Sequence, residues 1–270
     1  MSKKLPPGWG HEQPLTNTRL PLALQMFSVA EQMAKDMVGT LKLVKEAGYD
    51  GVEFYGGLHW VAQDIRLALN IAGLQIAGWH TPWEHLSPNN IYATISYNKV
   101  LGNQFLIVPW REDEVLDTRE ACLTFAKELT WVSDVLGQHG MVTGYHNHGK
   151  EFVPTSDTGE LPWDIIAQNT PSNVIMQLDI GNGLLVYDDM LDMLKKYPGR
   201  GGTVHMKPNI NTFFDDAQCT INWDEYFSIC RKEAGVRWYI VEYVNPDRHP
   251  NDPAGAIKAA AKWFMDRGGR

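Results

Sequence analysis

Short apolar runs alternate along the chain with longer stretches in which apolar residues recur every three or four positions. Leu20 to Val29 is the first such run and reads as a strand. Glu31 to Gly48 follows with helical spacing (Met33, Met37, Leu41, Leu43, Val44) and closes on a glycine, a residue suited to a helix C-terminus. The pattern then repeats through the first half of the chain. Strands are predicted over Asp50 to Gly56, Gln75 to Thr81 and Gln104 to Trp110, with helices over His59 to Gly73, Asn89 to Leu101 and Thr118 to Gly140. In the second half, strands are predicted over Met141 to His148, Asn173 to Asp179, Gly202 to Lys207 and Val236 to Val244. Helices are expected over Trp163 to Gln168, Met190 to Tyr197, Trp223 to Gly235 and Pro253 to Asp266.

Strands of continuous apolar character, each followed by a helix, imply a parallel sheet covered on both faces. Eight such units in 270 residues imply an α/β fold closed into a (β/α)8 TIM barrel. A doubly wound open sheet is the structural alternative, but no Gly-x-Gly-x-x-Gly follows a strand, so its nucleotide-binding form lacks support. Residues 1–19 are polar and aperiodic and read as an N-terminal arm, and 20–270 as a single barrel. The stretch from Asn209 to Thr220, with Phe213 and Phe214, is long for a loop after the seventh strand and is expected to cover the barrel mouth.

Charge narrows the function classes. Asp and Glu number 32 against 24 Lys and Arg, a net charge of -8, which argues against a nucleic-acid-binding surface. No apolar run reaches the roughly 18 residues of a membrane span, and the N-terminus lacks the apolar core of a signal peptide. Cys122, Cys219 and Cys230 are odd in number and widely spaced, which fits no disulfide framework or zinc ribbon and suits a reducing, cytoplasmic location.

In a barrel every strand ends on the same face, where catalytic groups gather. The predicted strand tips carry Glu53, His80, Trp110, His146, His148, Asp179, His205, Lys207 and Glu242. The opposite ends carry Gly, Asn, Gln and Val, so the ionisable groups collect on one rim. Asp179, His205 and Glu242 stand on three consecutive strands, and carboxylates with an imidazole suit a divalent cation: Mn²⁺, Mg²⁺, Co²⁺, Fe²⁺ or Zn²⁺. The absence of a thiolate argues against a structural zinc. A fourth ligand is expected from the fifth strand or just beyond it, where His146, His148 and Glu151 compete. Trp79, Trp83 and Trp110 lie near the same rim, open either to contact with a ligand or to packing in the core.

The segments Gly48-Tyr49-Asp50-Gly51-Val52-Glu53-Phe54, Tyr145-His146-Asn147-His148 with Glu151-Phe152, Gln177-Leu178-Asp179-Ile180-Gly181-Asn182, Val204-His205-Met206-Lys207 and Ile240-Val241-Glu242 carry a resemblance. From about Leu20 onward the chain resembles the sugar phosphate isomerase/epimerase group of xylose isomerase-like TIM barrels. In ketose 3-epimerases of that group the metal ligands are Glu, Asp, His and Glu on the last four strands, and the two glutamates exchange protons with the sugar. The resemblance therefore implies a metal centre of Glu151, Asp179, His205 and Glu242, with Mn²⁺ as the leading ion. At the fifth strand tip His146 stands where those epimerases have glutamate, a form similar to the inosose dehydratase and 3-keto-glycoside branches.

The implied activity is isomerisation or epimerisation of a keto-sugar or related polyol through an enediolate, with lyase chemistry at the same centre as the alternative. Catalytic roles fall on Glu242, His146, Glu151 and His80 (the last as proton donor), and substrate binding on Glu53, Trp110, His148 and Lys207. No glycine-rich phosphate cradle follows the last strands, so an unphosphorylated sugar or cyclitol fits better. Metal-dependent phosphodiester cleavage and a non-catalytic sugar-binding subunit are the other readings. Assembly into a homo-oligomer is an expectation from the group.

Overall fold

The computed structural model describes residues 19–209, 212–242 and 252–267. The N-terminal arm, apart from Arg19, and the predicted end of the eighth strand beyond Glu242 lie outside the described residues. Eight strands run β1 (Leu22–Gln25), β2 (Gly51–Tyr55), β3 (Gln75–His80), β4 (Phe105–Val108), β5 (Val142–His146), β6 (Ile175–Gln177), β7 (Thr203–His205) and β8 (Trp238–Val241). The helices between β1 and β5 are α1 (Ala30–Lys35), α2 (Met37–Glu46), α3 (Ala62–Ala72), α4 (Ile91–Leu101), α5 (Asp113–Leu116) and α6 (Arg119–Gly137). After β5 come α7 (Pro162–Gln168), α8 (Ile180–Gly183), α9 (Met190–Lys196), α10 (Trp223–Lys232) and α11 (Pro253–Asp266). Among the described residues no helix is long and apolar enough to cross a membrane.

All paired strands are parallel, in the order β6-β5-β4-β3-β2-β1-β8-β7. The two end strands meet at a single bridge, Asp179 to His205. Two backbone bonds hold that seam: Met176 N donates to Arg200 O at 2.9 Å and His205 N to Leu178 O at 2.8 Å. The sheet is thus a nearly closed barrel, as the eight repeats predict, and not the open alternative. Its thinnest seam passes through two of the predicted metal ligands.

Strand alternation sorts the side chains into two compartments. Leu22, Leu24, Val52, Phe54, Leu106, Val108, Tyr145, Met176, Leu178, Val204, Tyr239 and Val241 join the large core shared with the helices. The alternate positions form separate small clusters: Ala23, Ala77, Trp238 and Ile240 in one, and Phe105, Ile107, Val142 and Ile175 in the other. These plug the barrel interior. Gly144 completes this packing, because a Cβ there would lie 2.6 Å from Ile175 O and 2.9 Å from Ile107 Cδ1. Gly144→Ala should therefore cost on the order of 1–3 kcal/mol through overpacking, read as a lower urea midpoint with unchanged slope.

The structure corrects several predicted boundaries. The first apolar run is a short strand followed by a 3-10 turn, Met26–Val29. The first predicted helix is two helices, broken at Asp36, whose extended backbone lets its carboxylate cap Gly39 N at 2.9 Å. Asp113–Leu116 and Ile180–Gly183 form single helical turns where loops are predicted. The loop after β7 does not spread its aromatic residues over the mouth. Phe213 and Phe214 are buried, and Phe214 packs on Trp223, Trp263 and Phe264 beneath α10 and α11. Burial of two phenylalanines outweighs any gain from holding them over a polar opening.

Candidate metal centre

Period-two alternation carries past the apolar plug to the C-terminal ends of the strands. The last inward positions there are Gln25, Glu53, His80, His146, Gln177, His205 and Glu242, with Asp179 and Lys207 one step further along β6 and β7. His146, Asp179, His205 and Glu242 each offer one ligand atom, and these atoms lie within 4.8 Å of one another. His80 forms an overlapping group with His146 and His205, so both sets describe one location.

Asp179 is held on two sides. Its Oδ1 accepts the Asn182 N–H at 2.7 Å and so caps the turn α8, while Asn147 Oδ1 accepts the Asp179 N–H at 2.7 Å. Its Oδ2 is buried and has no hydrogen-bond partner. The nearest cationic atoms are His205 Nδ1 at 3.6 Å and Lys207 Nζ at 3.8 Å. Buried carboxylate oxygens are rarely left unpaired. With this carboxylate, two imidazoles and a second carboxylate complete a set that fits a divalent cation.

Beneath this cluster lies Glu53, which has no solvent exposure. One carboxylate oxygen, Oε2, accepts from His205 Nε2 at 2.7 Å and Gln25 Nε2 at 2.8 Å and lies 3.2 Å from His80 Nε2. The other, Oε1, accepts from Gln177 Nε2 at 2.9 Å. Burial pushes the Glu53 carboxyl up, but His80 and His205 together with the hydrogen bonds bring it below its ordinary value. Because Glu53 holds His205 at Nε2, the ring turns Nδ1 toward Asp179 and Glu242, 3.1 Å from Glu242 Oε2. A carboxylate that orients a histidine from behind is a recurring companion of metal-bound imidazoles.

Charge is unevenly spread across the three histidines. Burial acts to lower His205, yet Glu53, Asp179 and Glu242 lift it well above the usual histidine range. His146 goes the other way: burial, followed by neighbouring His205, His80, His148 and Lys207, holds it well below that range. His80 is lowered chiefly by burial, against the pull of Glu53. Lys207 resists its burial through Asp179 and Glu242 and is raised.

Not every residue expected at the centre is there. Glu151, the expected fourth ligand, faces away: its carboxylate accepts from Tyr145 Oη at 2.6 Å and from His148 N at 2.8 Å. Tyr145 lies on the helix-facing side of β5, and the 3-10 turn Lys150–Phe152 carries Glu151 to that side, whereas His146 points inward. Glu53, expected at a substrate hydroxyl, is sealed under the imidazoles. The Nε2 of His80, expected as a proton donor, is committed inward to Gln177 Oε1 at 2.7 Å. Trp79 is fully buried against Phe54, and Trp83 packs on Phe125 and under Arg111, so of the three tryptophans only Trp110 is exposed. His148 is exposed with its ring 5.2 Å from that of His146, and Lys207 reaches Asn182 Oδ1 at 3.0 Å.

The sequence reading gives no site role to the amides that hold the centre together: Gln25 goes unnamed there, and Asn147, Gln177 and Asn182 enter only as members of the motifs. Gln177 was accessible in principle, since it precedes Asp179 by two and shares its face of β6.

Asp179→Asn tests the oxygen that accepts no hydrogen bond. It keeps an acceptor for the cap and removes the charge. We expect divalent-ion affinity to fall by more than the roughly 10–100-fold typical of losing an outer partner, with the fold intact by circular dichroism. Unchanged affinity in calorimetric titration would remove Asp179 from the centre.

The fold and this cluster define an eight-stranded α/β barrel with a candidate metal centre at its C-terminal rim. The chain belongs to the xylose isomerase-like TIM barrel family, whose model matches residues 41–267. Among solved structures it is similar to a sugar phosphate isomerase/epimerase from Parabacteroides distasonis (22% identity, TM-score 0.78, covering 91% of this chain and 98% of that one). It is also similar to an AP endonuclease, family 2, from Brucella melitensis (20% identity, TM-score 0.69, covering 92% and 99%). A third is the IOLI protein with a bound zinc atom (16% identity, TM-score 0.65, covering 92% and 97%). No curated protein matches the sequence.

Proposed function

We propose that the protein is a divalent-metal-dependent isomerase or epimerase that removes the proton beside the carbonyl of a keto-sugar or related polyol. The observation that carries this reading is the convergence of His146, Asp179, His205 and Glu242 at one place, where Asp179 Oδ2 is buried and accepts no hydrogen bond. An ion held by those four residues would polarise a substrate carbonyl and an adjacent hydroxyl, acidifying the C–H between them. Mn²⁺ is our leading candidate.

Glu242 is the residue placed to take that proton. Its side chain is 12% exposed, whereas those of Asp179 and Glu53 are 0% exposed, so it alone of the three presents an oxygen to an incoming substrate. Lys207 Nζ, 3.7 Å from Glu242 Oε1, brings positive charge to where the enediolate oxygen develops. His148 and Trp110 stand at the rim and are assigned to substrate hydroxyls and to a sugar face respectively. The excess of acidic over basic residues supports a small polar substrate over a polyanion such as DNA.

A lyase reading has one specific observation in its favour. Glu151 is turned away, so the cluster holds a single accessible glutamate in place of the two that exchange protons on opposite sugar faces in the ketose 3-epimerases. One base suffices for loss of a β-substituent after the same proton removal. Incubating the Mn²⁺-loaded protein with ketoses and 3-keto-glycosides in deuterated water separates these outcomes. Deuterium beside the carbonyl with epimer formation supports epimerisation, and release of the leaving group supports elimination. Absence of both across the panel would overturn the shared first step.

A further inference from the structure

We infer that Gln177 sets the tautomer of His146, holding its proton on Nδ1 and leaving Nε2 as the ring's one bare nitrogen. Glu53 Oε1 lies 2.9 Å from one end of the Gln177 amide, and an ionised carboxylate has no proton to donate. That end of Gln177 is therefore the NH2 group, which also meets Thr203 Oγ1 at 2.7 Å. The other end is the carbonyl oxygen. It lies 2.9 Å from His146 Nδ1 and 2.7 Å from His80 Nε2. A carbonyl only accepts, so both nitrogens carry protons.

The consequence differs between the two rings. His80 donates through Nε2, which also lies 3.2 Å from Glu53 Oε2, so its proton sits between two acceptors deep in the barrel. His146 donates through Nδ1, and a neutral ring with its proton there has its lone pair on Nε2. Its ring centre lies 4.7 Å from that of His80, 4.6 Å from that of His205 and 5.2 Å from that of His148, a neighbourhood that opposes a second proton. Among the described residues His146 forms no ion pair with a carboxylate that would favour one. Gln177 therefore links the buried acid Glu53 to the far side of the cluster: Glu53 fixes the amide's orientation, and the amide fixes the proton on His146. Gln177 is a positioning residue, acting through His146.

The tautomer stands independently of any metal, whereas its effect on ligation rests on the metal-centre reading above. The test uses the full chain, 15N-labelled at histidine and freed of metal with a chelator. Long-range 1H–15N spectra at neutral to mildly alkaline pH distinguish protonated from bare ring nitrogens, with signals assigned by His146→Asn and His80→Asn. We expect His146 to show a protonated Nδ1 and bare Nε2, and His80 the reverse. A wild-type spectrum with the His146 proton on Nε2 overturns the inference without any Gln177 variant. Gln177→Leu should lose the pattern. Gln177→Glu, which can share a proton with Glu53 and still accept from both rings, should restore it. Titration with Mn²⁺ and Zn²⁺ provides a second readout: Gln177→Leu should bind roughly 10–100-fold more weakly than wild type, with Gln177→Glu closer to wild type. Equal affinities in a protein that shows the expected tautomers would overturn the link to ligation. A wild type that binds neither ion would sink the metal reading and leave the tautomer to be decided by the spectra.

Discussion

Glu242→Gln should abolish exchange of solvent deuterium into a keto-sugar substrate, lowering the rate by about 10²–10⁴-fold, the usual contribution of a positioned base. In the wild type the Glu242 carboxyl is held down to about 2. Burial works to raise it, and the hydrogen bond from His205 and the charge on Lys207 outweigh that effect. At neutral pH the residue is thus ionised, the form that accepts a proton. The glutamine is nearly isosteric and keeps one oxygen toward the cluster, 3.1 Å from His205 Nδ1 in the native geometry, so the fold should persist. Mass spectrometry of the recovered sugar gives the exchange rate, and titration with Mn²⁺ shows whether an ion still binds. Full exchange in the variant would move the base to another residue, with His148 next in reach at the rim.

Glu53→Ala should be the most destabilising single change at the centre, costing roughly 3–5 kcal/mol, the usual result of stripping one partner from a buried ion pair. Four side chains surround that carboxylate: Gln25, His80, Gln177 and His205. His205 owes part of its raised affinity for protons to Glu53, so alanine leaves a fully buried imidazolium without its inner counter-ion. It also strips the Gln25 amide of its acceptor and leaves the Gln177 amide with Thr203 Oγ1 alone. The adjoining strand β3 is shaped around Glu53, since a Cβ on Gly78 would come within 2.9 Å of its Oε1. Glu53→Gln keeps the shape and one acceptor and should lose less. Urea unfolding monitored by fluorescence provides the comparison. A loss below about 1 kcal/mol for the alanine variant would mean that the surrounding groups find other partners or admit water.

The strand tips were legible because period-two alternation and barrel geometry together dictate which residues face the mouth. Asp179, His205 and Glu242 follow from that rule alone, and the structure places them with His146. Glu151 shows where the rule ends. Proximity in sequence brought it within reach of the centre on paper, but a 3-10 turn after β5 swings it to the side of Tyr145, where both carboxylate oxygens find donors. Trp79 illustrates the same limit in the other direction. Its place beside a tip residue suggested the rim, yet alternation turns it outward onto Phe54 beneath the helices, where its Nε1 donates to Gly56 O at 2.8 Å.

The sequence by itself determined the eight repeats, their closure into a barrel, and the rim on which acids and imidazoles collect. Periodicity is a local property, and it survives whatever the loops do. Only the tertiary structure decided that His146 faces the centre, that Glu53 lies under the imidazoles, and that an amide, Gln177, ties the two together. Those outcomes depend on distances between strands far apart in sequence and on which atoms can donate. A buried carboxylate and a carbonyl can only accept, so the protons of the whole cluster are arranged around Glu53 and Gln177, and no spacing along the chain records that constraint.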